Sequence, residues 1–180
     1  MFKKHLLFLI LTFTTLMGFA DTPQPNIPHL RKKLMQAINS KPTTDSLYKS
    51  LEMIQQRSGL LNGYMGALEA LKAKHAWNPY FKIKYLSNCE DTFKEAVAQD
   101  PHNIEIRFMR FSVEHNVPGF LGYTKNLAVD KQEMIHQIEL KNYGTADKEL
   151  VITVIKFMLD SKHCTADETN FLNKTLAALK

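Results

Sequence analysis

Residues 89–103 read CEDTFKEAVAQDPHN. With Leu86 just upstream, Cys89, Phe93, Ala96 and Val97 recur at steps of three and four, the spacing that gathers side chains on one face of an α-helix. Small residues at Cys89 and Ala96 let a second helix approach, and Phe93 fills the gap between the two. QDPHN closes the run, because Pro101 cannot continue a helix. Asn78-Pro79 supplies the start: Asn caps, and Pro suits the first turn, where its missing N–H has no partner anyway. The stretch therefore reads as the end of a long helix from Pro79 to about Gln99, a turn, and a new helix from Asn103 to His115.

The same period extends in both directions. Leu30, Leu34 and Ile38 mark a first helix, which Pro42 is expected to end. Thr43 to Asp45 can cap a second with Leu47, Leu51 and Ile54, and Gly59 breaks the chain before a third, which holds Leu60, Tyr64, Ala67, Leu68 and Leu71. Gly63 and Gly66 inside it suggest a close helix crossing. Downstream of Asn103, Ile104, Phe108, Phe111 and Ser112 share one side. HNVPGFLGY, from His115, ends that helix: Asn116 is expected to take the left-handed cap, and Pro118 forbids continuation. DKQE at Asp130 to Glu133 offers a cap for a helix with Met134, Ile135 and Ile138. Leu150, Val151, Val154, Ile155 and Met158 mark a strongly apolar helix, and Thr165-x-x-Glu168 is a capping box for the last, with Phe171, Leu172, Leu176 and Leu179. No segment alternates with period two. The fold class is all-α, about eight helices joined by short turns, which favours antiparallel helical hairpins.

Cys89, Phe93, Ala96 and Pro101 resemble the second half of a tetratricopeptide repeat, with Cys at the first small position. Trp77, Asn78 and Pro79 interrupt where the first half of that motif belongs, and Arg107 and Arg110 stand where a following repeat has Trp and Leu. The resemblance implies a divergent tetratricopeptide-like solenoid or a compact helical bundle. LKAKHAWNPY, NIEIRFMRF and HNVPGFLGY are also similar to segments of a group of exported helical proteins of Gram-negative bacteria, a likeness that transfers no chemistry.

The N-terminus carries an address. Lys3 and Lys4 precede an uncharged, mostly apolar stretch from Leu6 to Phe19, and Gly18-Phe19-Ala20 places small residues at the positions a signal peptidase reads. The expected organisation is a signal peptide over 1–20, an extended proline-containing leader over 21–28 and one helical domain over 29–180, exported to the periplasm or beyond. A lipoprotein needs Cys where Asp21 stands. The full chain has a net charge of +5, and loss of residues 1–20 removes two lysines and no acid, leaving +3. These charges are interspersed, unlike the clustered basic face of a nucleic-acid binder. No later run is apolar enough to span a bilayer; Leu150 to Leu159 is interrupted by Lys156. Cys89 and Cys164 are the only cysteines, so a disulfide and two separate thiols are both open readings.

Candidate chemistry is sparse. The histidines lack the paired spacing of a metal site, so none is expected; His75 and His115 fall at helix ends, where a protonated ring interacts well with the dipole. There is no nucleophile elbow, phosphate loop or dinucleotide fingerprint, and no cofactor or catalytic residue is expected. Arg107, Arg110 and Glu114 share one face of the fifth helix. The simplest reading is an exposed ion-pair ladder. A second is a guanidinium pair facing a groove that holds a carboxylate or phosphate. A third has the arginines anchoring the AWNPY turn, with Trp77 or Tyr80 stacked on a guanidinium. Phe120, Leu121 and Tyr123 read as an apolar plug that docks the turn on the core. The candidate binding set is therefore Arg107, Arg110, Glu114, His75, Trp77, Tyr80, His115, Phe120 and Tyr123. The expected function is an envelope module that binds a protein or peptide; the alternative is a small-molecule binder or enzyme with a pocket near residues 75–80 and 115–123.

Overall fold

The computed structural model describes residues 25–179. The signal peptide, its cleavage point after Ala20 and the start of the leader lie outside the described residues. The described chain forms α1 (Ile27–Ala37), α2 (Lys41–Glu52), α3 (Gly59–His75), α4 (Pro79–Gln99), α5 (Ile104–Asn116), a 3-10 turn (Gly119–Leu121), α6 (Leu127–Glu139), α7 (Lys148–Asp160) and α8 (Ala166–Ala178). There is no strand among these residues, so the all-helical fold class holds. No helix among them is long and apolar enough to cross a membrane.

Local capping explains most boundaries and corrects four of them. The Asn26 side chain accepts the His29 N–H at 2.9 Å, so α1 starts inside the stretch expected to be extended. Pro42 does not end α1 but sits in the first turn of α2, capped by Ser40. Asn116 is the last helical residue and not a left-handed cap; its side-chain amide donates to the Ser112 carbonyl at 2.8 Å. Val117 is extended, as a residue before proline must be. The Asp130 side chain does not cap α6, which starts three residues earlier, at Leu127. The capping box of α8 forms as expected, with the Thr165 hydroxyl and Glu168 carboxylate satisfying each other's backbone N–H groups.

Neighbours in sequence pack on one another from α1 to α6 and again from α7 to α8, and α3 is the most enclosed helix, with every residue from Gly59 to Glu69 buried. Its glycines set the approach of its neighbours. A Cβ at Gly66 falls 3.1 Å from the Phe93 ring of α4, one at Gly59 lies 3.0 Å from the Ala96 carbonyl, and one at Gly63 meets Met109 of α5 at 2.8 Å. Two apolar cores result. The first holds Leu30, Leu51, Leu61, Tyr64, Leu68, Cys89 and Phe93; the second holds Met134, Ile138, Val154, Ile155, Met158 and Leu172. The α5 helix belongs to both, giving Ile106 and Met109 to the first and Ile104 and Phe111 to the second.

Gly66→Ala tests the close crossing. Alanine is the better helix former by about 1 kcal/mol, but overpacking a filled core costs about 1–3 kcal/mol. Urea unfolding is expected to show a net loss near 1 kcal/mol; a gain in stability means that the Phe93 ring yields freely.

Candidate functional site

The face of α5 that carries the expected arginines is buried, and its partner is Asp130 of α6, a residue the spacing had assigned to a cap. Arg110 grips the Asp130 carboxylate with two parallel bonds, Nε to Oδ2 and Nη2 to Oδ1, both 2.6 Å. Arg107 adds Nη1 to Oδ1 at 2.8 Å and directs Nε and Nη2 to the Pro101 carbonyl at 2.9 and 2.7 Å. Asp130 is fully buried. Glu114, one turn beyond Arg110, accepts the Asn126 backbone N–H at 2.8 Å and its side-chain amide at 2.7 Å. Burial raises the Glu114 carboxyl above its ordinary value, against the lowering effect of these bonds. Two cations and two carboxyl groups thus lie side by side, with Asp130 and Glu114 locking α6 to α5. This replaces the exposed ladder. It also leaves no guanidinium free to hold a ligand, and the backbone carbonyl anchored is that of Pro101, not one in the AWNPY turn.

A second charge cluster, buried at Glu105 and exposed at Asp147, links the two cores. Arg31 of α1 donates through Nε and Nη2 to both oxygens of Glu105, at 3.0 and 2.9 Å, and through Nη1 to Asp147 at 2.6 Å. The Tyr64 hydroxyl of α3 donates to the same Glu105 carboxylate. Asp147 also caps α7, and the Leu150 N–H together with Arg31 holds its carboxyl below the usual range. Glu69 is the exception among the buried charges: one carboxylate oxygen has no hydrogen-bond partner among the described residues. Burial pushes its pKa up to about 7, with Asp91 and Glu95 adding to the shift and Arg57 opposing it.

The remaining candidates disperse. His75 Nε2 lies 3.0 Å from the Ala37 carbonyl oxygen, joining the ends of α3 and α1. His115 stacks on Phe111 and places Nδ1 3.2 Å from Nε2 of His163. Among the described residues no three His, Cys, Asp or Glu side chains group as metal ligands. Tyr123 lines a recess with Leu86, Arg110, Val113, Glu114 and Val117, but the recess holds only about 20 Å3, the space of one water. Phe120 is not a plug: it is 88% exposed, because the 3-10 turn and the left-handed Gly122 (φ 76°) send it outward while Leu121 and Tyr123 stay half-buried. Cys89 and Cys164 are both free, one in each core; burial raises the Cys89 thiol, and Cys164 Sγ points to the Met158 carbonyl at 3.5 Å.

Trp77 and Tyr80 stack on no guanidinium. They project from the α3–α4 turn, 96% and 69% exposed, and Phe81 and Ile83 are exposed beside them. Tyr80 and Phe81 meet edge to face at 5.5 Å, and Phe81 stacks on Tyr85 at 6.4 Å. The first fully buried residue of α4 is Leu86, and before it only Lys82 and Tyr85 are half-buried, so the helix starts as a largely uncovered tip. Phe81 and Ile83 were missed in the sequence, although one signal was present: residues 70–89 contain no Asp or Glu. An open groove between α1 and α2, floored by Leu30, Leu47 and Leu51 and edged by His29, Lys33 and Ser46, is the other concavity. No protein-family model, curated protein or solved structure matches the chain.

Asp130→Ala leaves two guanidiniums buried without their carboxylate and is expected to cost about 3–5 kcal/mol in urea unfolding, whereas replacing Arg107, Arg110 and Asp130 together by apolar residues of similar size costs less. For Glu69 the folded pKa exceeds the unfolded one, so the folded state binds the extra proton. Stability then falls as pH rises from the ordinary carboxyl value of 4.5 towards about 7, and is level above. Glu69→Gln is expected to remove this decline and to gain on the order of 3 kcal/mol relative to wild type at pH 8 compared with pH 4.5; parallel pH profiles of the two proteins contradict the assignment.

Proposed function

We propose that the chain is an exported helical binding module, tetratricopeptide-like in its use of paired helices, and that its working surface is the tip at the α3–α4 turn. One observation carries the reading. Trp77, Tyr80, Phe81 and Ile83 stand exposed together, whereas the other aromatic side chains among the described residues are at least partly buried, Phe120 excepted. Exposed apolar surface of this size costs solubility and is retained where something covers it. An enzyme or small-molecule site near residues 75–80 and 115–123 draws no comparable support: ligand pockets run to roughly 300–1,000 Å3, the recess beside Arg110 and Glu114 is water-sized, and the concavity of about 660 Å3 is the open α1–α2 groove, lined by none of those residues. The buried arginines and carboxylates are spent on one another, so they act as scaffold.

Placing the photo-crosslinking residue benzoylphenylalanine at position 77 in cells tests this reading. Position 173 on α8, exposed in place of Asn173, is the control. Adducts, whether with protein or lipid, are expected at 77 and not at 173. Equal labelling at both sites, or none at either, removes the tip as the working surface.

A further inference from the structure

Resting on that reading, we infer that the occupant of the tip is the surface of a lipid bilayer rich in anionic headgroups. The shape is the first argument. Trp77 in the turn and Tyr80, Phe81, Ile83 and Lys84 on one broad face of the first turns of α4 are exposed, and none lines either concavity described above, while Lys82 and Tyr85 on the other side are half-buried. A convex apolar edge of this kind asks a protein partner for a matching socket, whereas a fluid bilayer closes around whatever enters it.

The depth agrees. From Pro79 to Leu86 the helix advances by seven residues before it reaches the core, which at 1.5 Å per residue is about 10 Å. Interfacial segments bury about 5–10 Å into the headgroup and acyl boundary. The side-chain chemistry matches this depth as well. Trp77 and Tyr80 lead the tip and suit the interface, where the ring is apolar and the N–H or O–H stays wet, and Phe81 and Ile83 add apolar surface between them and the core.

Charge selects the anionic lipid. Lys72, Lys74, Lys82 and Lys84 lie within the acid-free segment 70–89. Lys72 is occupied: it sits 3.5 Å from Asp45 and over the Tyr48 ring at 4.4 Å. Lys74 donates to the Ile38 carbonyl at 2.9 Å and keeps its charge unpaired. Lys82 and Lys84 make no ion pair among the described residues. Their long stems allow the apolar part to follow the tip while the ammonium stays among the headgroups. The acid that pairs with Lys72, Asp45, is also met by Lys41 at 2.7 Å.

The protein carries its own probe, since Trp77 is the only tryptophan. The chain from Asp21 is mixed with phosphatidylcholine vesicles, with or without phosphatidylglycerol, and Trp77 emission and vesicle co-sedimentation are read together. Anionic vesicles are expected to shift the emission to the blue and to sediment the protein. Neutral vesicles bind at least about tenfold more weakly, and salt weakens the anionic binding. A Lys82→Glu, Lys84→Glu variant is expected to lose about tenfold or more in partition, and a Tyr80→Ser, Phe81→Ser variant to lose the blue shift. Tyr80, Phe81 and Lys84 are exposed and Lys82 is half-buried, and unchanged far-UV circular dichroism confirms that the variants fold. Unchanged Trp77 emission with anionic vesicles overturns the inference, as does binding indifferent to charge reversal. If the crosslinks at position 77 then run to protein, the binding module stands and the bilayer falls; if they run to nothing, both fall.

Discussion

The Asp130 carboxylate, clamped from two sides by Arg107 and Arg110, is the constraint on which the arrangement of the second half depends. It fixes the register of α6 against α5 at atomic precision, because a bidentate guanidinium tolerates little sliding. The same arginine pair ties the α4–α5 turn through the Pro101 carbonyl, and Glu114 completes the start of α6 through Asn126. Apolar packing alone is less selective, since many hydrophobic residues of similar size fill a core acceptably. Dehydrating such charges is costly and their attraction roughly repays it, so the cluster is better understood as specifying one packing than as adding stability.

Arg31 extends this logic to the whole molecule. Its guanidinium reaches Glu105 at the start of α5 and Asp147 at the start of α7, so an early helix is tied to elements formed much later in the chain. The carboxylates it meets also serve locally, Asp147 as a helix cap and Glu105 as the acceptor for Tyr64. Glu69 breaks the pattern. It sits deep in α3 with an unpaired oxygen, and its neighbours Asp91 and Glu95 oppose its ionisation. The interior therefore contains charges solved in pairs and one left to protonation.

Period and punctuation made the helices legible. The stripe Leu86, Cys89, Phe93, Ala96 was read correctly because one face of a long helix is a local property, and Thr165 with Glu168 because a capping box closes within one turn. The boundaries at Ile27, Lys41 and Leu127 were less legible because several polar residues compete for each cap, and the winner depends on what else claims the side chain. Asp130 is the plainest case: it has the composition of a cap, yet two arginines 20 and 23 residues upstream claim it. Arg107, Arg110 and Glu114 were rightly placed on one face, but sequence spacing carries no sign for inside or outside. Phe120 fails for the same reason, since an aromatic in a turn reads as buried until the core is seen to be filled by others. The gap in acidic residues between Ala70 and Cys89 was present throughout, and it became informative only when the aromatic tip joined it.

The position of α5 between the two cores has a consequence for cooperativity. A helix with one apolar face in each core makes each half the template for the other: removing α6 to α8 strips the cover from Ile104 and Phe111, and removing α1 to α4 does so for Ile106 and Met109. Neither half then has a complete surface of its own. The chain has two centres of packing but a single unit of folding, and a disturbance in one is transmitted through a shared wall to the other.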